Sequence, residues 1–170
     1  MLTSPILTAS EIKAEFKTSF YNNYTSGKCG PNILNFIQKV ENLGIDIKRG
    51  KVLKISNKGY HTFVMVNAEK ARTKNGGPSE KNWYHHVIFE LDGFIYDFDY
   101  FNLPTVDQVS VYFNKMFLIE DKKTKGSSLY VGKENKLRDY QVEIISIDAA
   151  LNRAKYKSKI LKLSDFLNLF

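Results

Sequence analysis

The chain has 170 residues, 43% of them hydrophobic and 25% charged, with a net charge of +7. That length and balance exclude wholesale disorder and predict a single domain over 1–170 around one core. No apolar run approaches the roughly 18 residues of a membrane span, and the dispersed lysines predict solvated surface rather than a nucleic-acid or membrane footprint.

In chain order, residues 8–22 read as a helix. Thr8 and Glu11 stand at capping-box spacing, and Ile12, Phe16 and Phe20 form an apolar stripe. The polar run Tyr21–Lys28 reads as a loop. A second helix opens at Gly30-Pro31, with Ile33, Phe36, Ile37, Val40 and Leu43 as its apolar face and Gly44 as its stop. Cys29 lies at its leading edge. Lys51–Ser56 and Tyr60–Asn67 read as strands joined by a turn at Asn57-Lys58-Gly59. Residues 69–82 form a polar loop able to rim a site. The stretch Trp83–Asp99 then reads as a strand, a tight turn and a second strand, with Asp92-Gly93 as a two-residue hairpin. Val106, Val109, Phe113 and Met116 predict a helix of about three turns. Residues 120–138 are charged and read as a loop, Tyr140–Ile147 as a strand and 148–156 as a short helix. Ser164-Asp165 are placed to cap a last turn. Helices first and mostly sequential strands after predict an α+β fold.

The chemistry gathers on Cys29 and the hairpin. A thiol attacks as thiolate, and a helix N-terminus lowers its pKa. Backbone N–H groups there can also hold an oxyanion. A lone cysteine is, however, commonly a buried structural residue. With Leu91 paired to Phe94, counting outward sets Ile88 opposite Asp97 and His86 opposite Asp99. Alternation then puts His86, Ile88, Glu90, Ile95, Asp97 and Asp99 on one face, with Asp97 the diagonal neighbour of His86. His85 falls on the other face with Val87, Phe89 and Leu91. The geometry therefore favours His86 as the base and leaves Asp97 and Asp99 both open as its partner. A carboxylate there would set the imidazole tautomer and stabilise the imidazolium. His61, in the strand Tyr60–Asn67, reads as an ordinary surface or core histidine. A metal site from His61, His85, His86 and Cys29 has no HExxH or CxxC spacing behind it. No metal and no organic cofactor is expected.

Cysteine at a helix start, histidine on a later strand and an acid on the next resemble the papain-like and transglutaminase-like superfamily. More narrowly, the chain is similar to the protein N-terminal glutamine amidohydrolases. The segment Tyr24–Asn32 resembles their nucleophile loop, with an asparagine three residues after the cysteine. Thr62–Asn67 resembles a strand of that family. Trp83–Ile88 resembles its W-x-Y-H-V-V motif with His86 in the catalytic place, and Phe94–Asp99 resembles its FIYDLDT strand. A Leu-Pro pair, here Leu103-Pro104, follows in both. The family's catalytic acid is the first aspartate of that motif, so the resemblance selects Asp97. It covers about residues 20–105. Gly30-Pro31 stand where the family has acidic residues, and both the hairpin loop and the chain are shorter. If those acids read a free α-amine, an internal protein glutamine becomes the alternative substrate.

The resemblance thus implies a papain-like fold, N-terminal helices on an antiparallel sheet, and a Cys29, His86, Asp97 triad. The activity it implies is cysteine-dependent deamidation of a glutamine, N-terminal or internal, in a protein or peptide substrate. A cysteine protease, isopeptidase or acyl transferase with the same triad is the alternative, and a non-catalytic basic binding module a further one. The start, Met1–Lys13, lacks the basic opening and long apolar core of a secretory signal. The single cysteine forbids an internal disulfide, so a cytoplasmic site of action is expected, its own or that of a cell it enters as an effector.

Overall fold

Two helices open the fold, and their apolar faces decide where the sheet must lie. The computed structural model describes residues 5–57, 64–65, 82–83, 85–100, 106–116 and 140–170. Helix α1 spans Pro5–Asn23 and α2 spans Cys29–Asn42. Because α1 is already helical at Pro5, Thr8 and Glu11 lie inside it, and the expected capping-box start there does not hold. The loop before Cys29 is correspondingly shorter than expected, because α1 runs on through Asn23.

Ile12, Phe16 and Phe20 of α1 are fully buried, as are Phe36, Ile37 and Val40 of α2. Phe16 meets Phe36 edge-on with centroids 5.4 Å apart, and Phe36 meets Phe89 and Tyr96 of the sheet at 5.9 Å. Leu43, expected on this face, is 61% exposed. It caps the helix just before Gly44, whose φ of +79° ends the helical course.

A six-stranded antiparallel sheet runs in the order β6-β5-β4-β1-β7-β8. Its strands are β1 (Lys51–Asn57), β4 (His85–Leu91), β5 (Phe94–Tyr96), β6 (Val106–Gln108), β7 (Tyr140–Ser146) and β8 (Ser158–Lys162). Strands β2 (Val64–Met65) and β3 (Asn82–Trp83) form a separate pair. The remainder of the expected Tyr60–Asn67 strand, its preceding turn, His61, Leu103-Pro104 and the loop 120–138 lie outside the described residues.

The β4–β5 hairpin turns at Asp92 and Gly93, with φ of +53° and +83°, and pairs Leu91 with Phe94 as the two-residue loop requires. The ladder ends at Phe89–Tyr96. Asp97–Asp99 leave the strand, so the expected pairing of His86 with Asp99 is not part of it.

Three further helices complete the described residues: α3 (Val109–Met116), α4 (Ile147–Ala150) and α5 (Leu163–Leu167). Val106 belongs to a strand and not to the helix predicted from it. Residues 106–108 satisfy the backbone edge of β5, and that pairing outweighs a helical period over so short a stretch. The helix expected over 148–156 stops after one turn. Ser146 accepts from the Ala149 N–H at its start, and Asn152, at φ +59°, turns the chain away at its end. Strand β8 escaped the pattern because it is a polar edge strand, with Lys159 and Lys162 exposed. Lys162 takes the N-cap position of α5, so Ser164 and Asp165 fall within its first turn instead of capping it.

The sheet separates two cores. One packs α1 and α2 against Val52, Phe89, Leu91 and Tyr96. The other packs α3 and α5 against Leu53, Ile55, Ile88 and Ile95. The fold is α+β. Among the described residues no helix is long and apolar enough to cross a membrane.

Candidate active site

Cys29 is the first residue of α2, and its position is set by a tied loop. The Asn32 side-chain amide donates to the Thr25 carbonyl at 2.8 Å, and the Thr25 N–H donates back to Asn32 Oδ1 at 3.1 Å. Lys28 N–H also donates to the Thr25 carbonyl, at 3.3 Å, and Gly27 makes the turn at φ +74°. No side chain caps α2 and its first turn holds no acidic residue. The Cys29 and Gly30 N–H groups therefore present the positive end of the helix. The thiol is half-buried.

α2 packs on β4, and this brings the thiol to the start of that strand. His86, the second residue of β4, is 2% exposed. Its Nε2 lies 3.0 Å from both carboxylate oxygens of Asp97. Asp97 is held from two further directions. The Asp99 N–H donates to Oδ1 at 2.9 Å, and the Tyr112 hydroxyl donates to Oδ2 at 2.6 Å. With Nε2 committed to Asp97, Nδ1 is the ring nitrogen left for a thiol to meet, and Cys29 lies near enough for His86 to lower the thiol pKa.

This convergence crosses the sheet. Cys29 comes from the α1/α2 side and Tyr112 from the α3 side. They meet the His86–Asp97 pair where β5 has ended and β4 continues past it.

The electrostatics follow. Burial pushes the Cys29 thiol up. The hydrogen bond to His86, the His86 charge and a hydrogen bond with the Val87 backbone outweigh it and leave the thiol below its ordinary value. Burial pushes His86 down, but the Asp97 charge and hydrogen bonds to Asp97 and Cys29 hold it well above the usual histidine range. The two directions together favour a thiolate–imidazolium pair. Asp99, 8% exposed, is raised to about 6 by burial first and then by the Asp97 charge, against His86 and a hydrogen bond from Tyr24. The Tyr24 hydroxyl donates to Asp99 Oδ1.

The structure joins His86 to Asp97 and sets Cys29 at the start of the helix that packs on the His86 strand. It selects Asp97 over Asp99 as the carboxylate on the imidazole. His85 is exposed and takes no part, and burial followed by the charges of Lys54 and His86 lowers its pKa. His86, Asp97 and Asp99 offer ligand atoms within 4.8 Å of one another, a grouping within reach of a cation. Proton donors already occupy both Asp97 oxygens and Asp99 Oδ1: Nε2, the Asp99 N–H, and the hydroxyls of Tyr112 and Tyr24. That donor set suits a hydrogen-bonded relay better than a metal cage.

The sequence reading missed Tyr112 and Tyr24. Tyr112 adjoins the apolar stripe of α3, where a tyrosine reads as core. The available signal was that a buried carboxylate needs donors beyond one imidazole. Set against known proteins, the chain matches no family model and no curated sequence.

Proposed function

We propose that the protein is a cysteine-dependent amidohydrolase of papain-like architecture, related to the transglutaminase-like superfamily, that deamidates a glutamine in a protein or peptide substrate. The observation that supports it is the buried His86–Asp97–Tyr112 relay, with the Cys29 thiol at the start of the helix packed on the His86 strand and its pKa lowered by His86.

His86 takes the Cys29 proton, and the thiolate attacks the side-chain carbonyl carbon. The negative charge on the carbonyl oxygen is met by N–H groups at the start of α2. The imidazolium returns its proton to the departing nitrogen, ammonia leaves, and a thioester joins the acyl group to Cys29. His86 then deprotonates water, which attacks the thioester and releases glutamate and the free thiol. Asp97 holds the ring and its tautomer throughout. The site of action we infer is a cytosol, the cell's own or that of a target cell reached as an effector.

The test is incubation with glutamine-terminal and internal-glutamine peptides. A gain of about one dalton with ammonia release supports the reading. Peptide cleavage or acyl transfer in its place assigns the same residues to a protease or transferase. Iodoacetamide labelling adds a substrate-free check. Cys29 should react at a pH below the ordinary thiol range, and His86→Ala should abolish that advantage. Sluggish labelling with an ordinary thiol profile leaves only a basic binding module.

A further inference from the structure

Asp99 is buried beside the relay and carries none of its protons. Its Oδ1 accepts the Tyr24 hydroxyl, and its other oxygen takes no hydrogen bond among the described residues. A carboxylate oxygen of Asp99 lies within 4.8 Å of a ring nitrogen of His86 and of an Asp97 oxygen, and its charge reaches the Cys29 thiol. We propose that Asp99 is a specificity-determining residue, a fixed carboxylate beside the His86 ring that admits a neutral carboxamide and turns away the carboxylic acid it becomes.

The inference rests on the amidohydrolase reading and deepens it. A carboxamide is uncharged and carries two N–H donors, whereas an ionised carboxylate only accepts. The open oxygen of Asp99 is therefore matched to the N–H side of an amide. A product glutamate offers no N–H and brings a second negative charge into a buried site, where like charges repel strongly. An imidazolium standing alone would instead attract the acid.

The groups facing Asp99 come from every side. They are Asp97 on its own segment, His86 on β4, Cys29 on α2, Tyr24 from the loop before α2, and Tyr112 on α3. His86 is the cation among them, and Asp97 already pairs with it. The charge on Asp99 thus stands in excess.

Iodoacetamide and iodoacetate carry the same reactive carbon, one on an amide and one on an acid. Both react with the same thiolate, so the ratio of their rate constants cancels the fraction of Cys29 ionised. At about pH 7.5 the wild-type ratio should exceed that of glutathione by about tenfold or more, and Asp99→Asn should bring it down to the glutathione value. Tyr24→Phe, which keeps the charge, should keep the preference. In the wild type the ratio should also fall as the pH drops through about 6, where Asp99 takes up a proton, and this step should be missing in Asp99→Asn. A wild-type ratio equal to that of glutathione, a ratio flat across that pH range, or an unchanged ratio in Asp99→Asn overturns the proposal. None of these readouts needs a glutamine substrate. A protein that shows the ratio but releases no ammonia refutes the amidohydrolase reading instead.

Discussion

Asp97 gathers four contacts within 3.0 Å: two with His86 Nε2, one from the Asp99 N–H and one from Tyr112. Its neighbour Asp99 has a different environment. Burial and the Asp97 charge raise it to about 6 from a usual 3.8. The native state therefore binds a proton more tightly than the unfolded chain between those two values. Stability contributed by this group is present at low pH and is lost as the pH rises toward 6. Asp99→Asn removes the buried charge and keeps the shape. It should stabilise the protein by on the order of 2 kcal/mol at neutral pH, with the gain vanishing near pH 4. Urea melts of both forms across that range check this, and a constant difference at all pH values would exclude the charge as its cause. His86 follows the same sign at higher pH. Its raised pKa adds stability below the usual histidine range, and that stability is lost as the pH climbs through the native value.

At the scale of elements, the site depends on α2 lying close to β4. The Phe89 ring at that interface lies against Gly50, just before β1. A Cβ there would stand 2.5 Å from the Phe89 ring and 3.0 Å from the Ile47 carbonyl oxygen. Phe89 is fully buried against Phe36, so its ring has little freedom to yield. Gly50→Ala should cost about 1–3 kcal/mol, read as a lowered denaturant midpoint. An unchanged midpoint would mean the ring repacks freely. Legibility differed among these elements for physical reasons. α2 and the β4–β5 hairpin were readable, because a helical stripe of Ile33, Phe36, Ile37 and Val40 and an Asp-Gly turn are local signals. β6 and β8 were not. Each is a short strand at a sheet edge, whose backbone pairing depends on a neighbour distant in sequence and whose side chains need not alternate. Leu43 misled for a related reason: the apolar period runs on to the C-cap residue, where the helical course ends at Gly44.

The site as a whole draws on α2, β4, the segment after β5 and α3, with the sheet between Cys29 and Tyr112. No short segment contains it. Loss of fast Cys29 labelling in urea should therefore coincide with the global unfolding transition followed by circular dichroism. Fast labelling that outlasts the sheet would mean a local peptide environment activates the thiol. What residue order alone determined was chemical inventory and local geometry: one thiol at a helix start, His86 in place of His85 on the acidic face, and Asp97 within diagonal reach. Those follow from helix and strand periods, which act over a few residues. Spacing left Asp97 and Asp99 both open and only the resemblance favoured Asp97; the tertiary structure puts Asp97 on the imidazole, because the strand ends at Tyr96 and the chain bends there. It alone brought Tyr112 and Tyr24 onto the two carboxylates, because hydroxyl partners supplied across a sheet leave no trace in spacing.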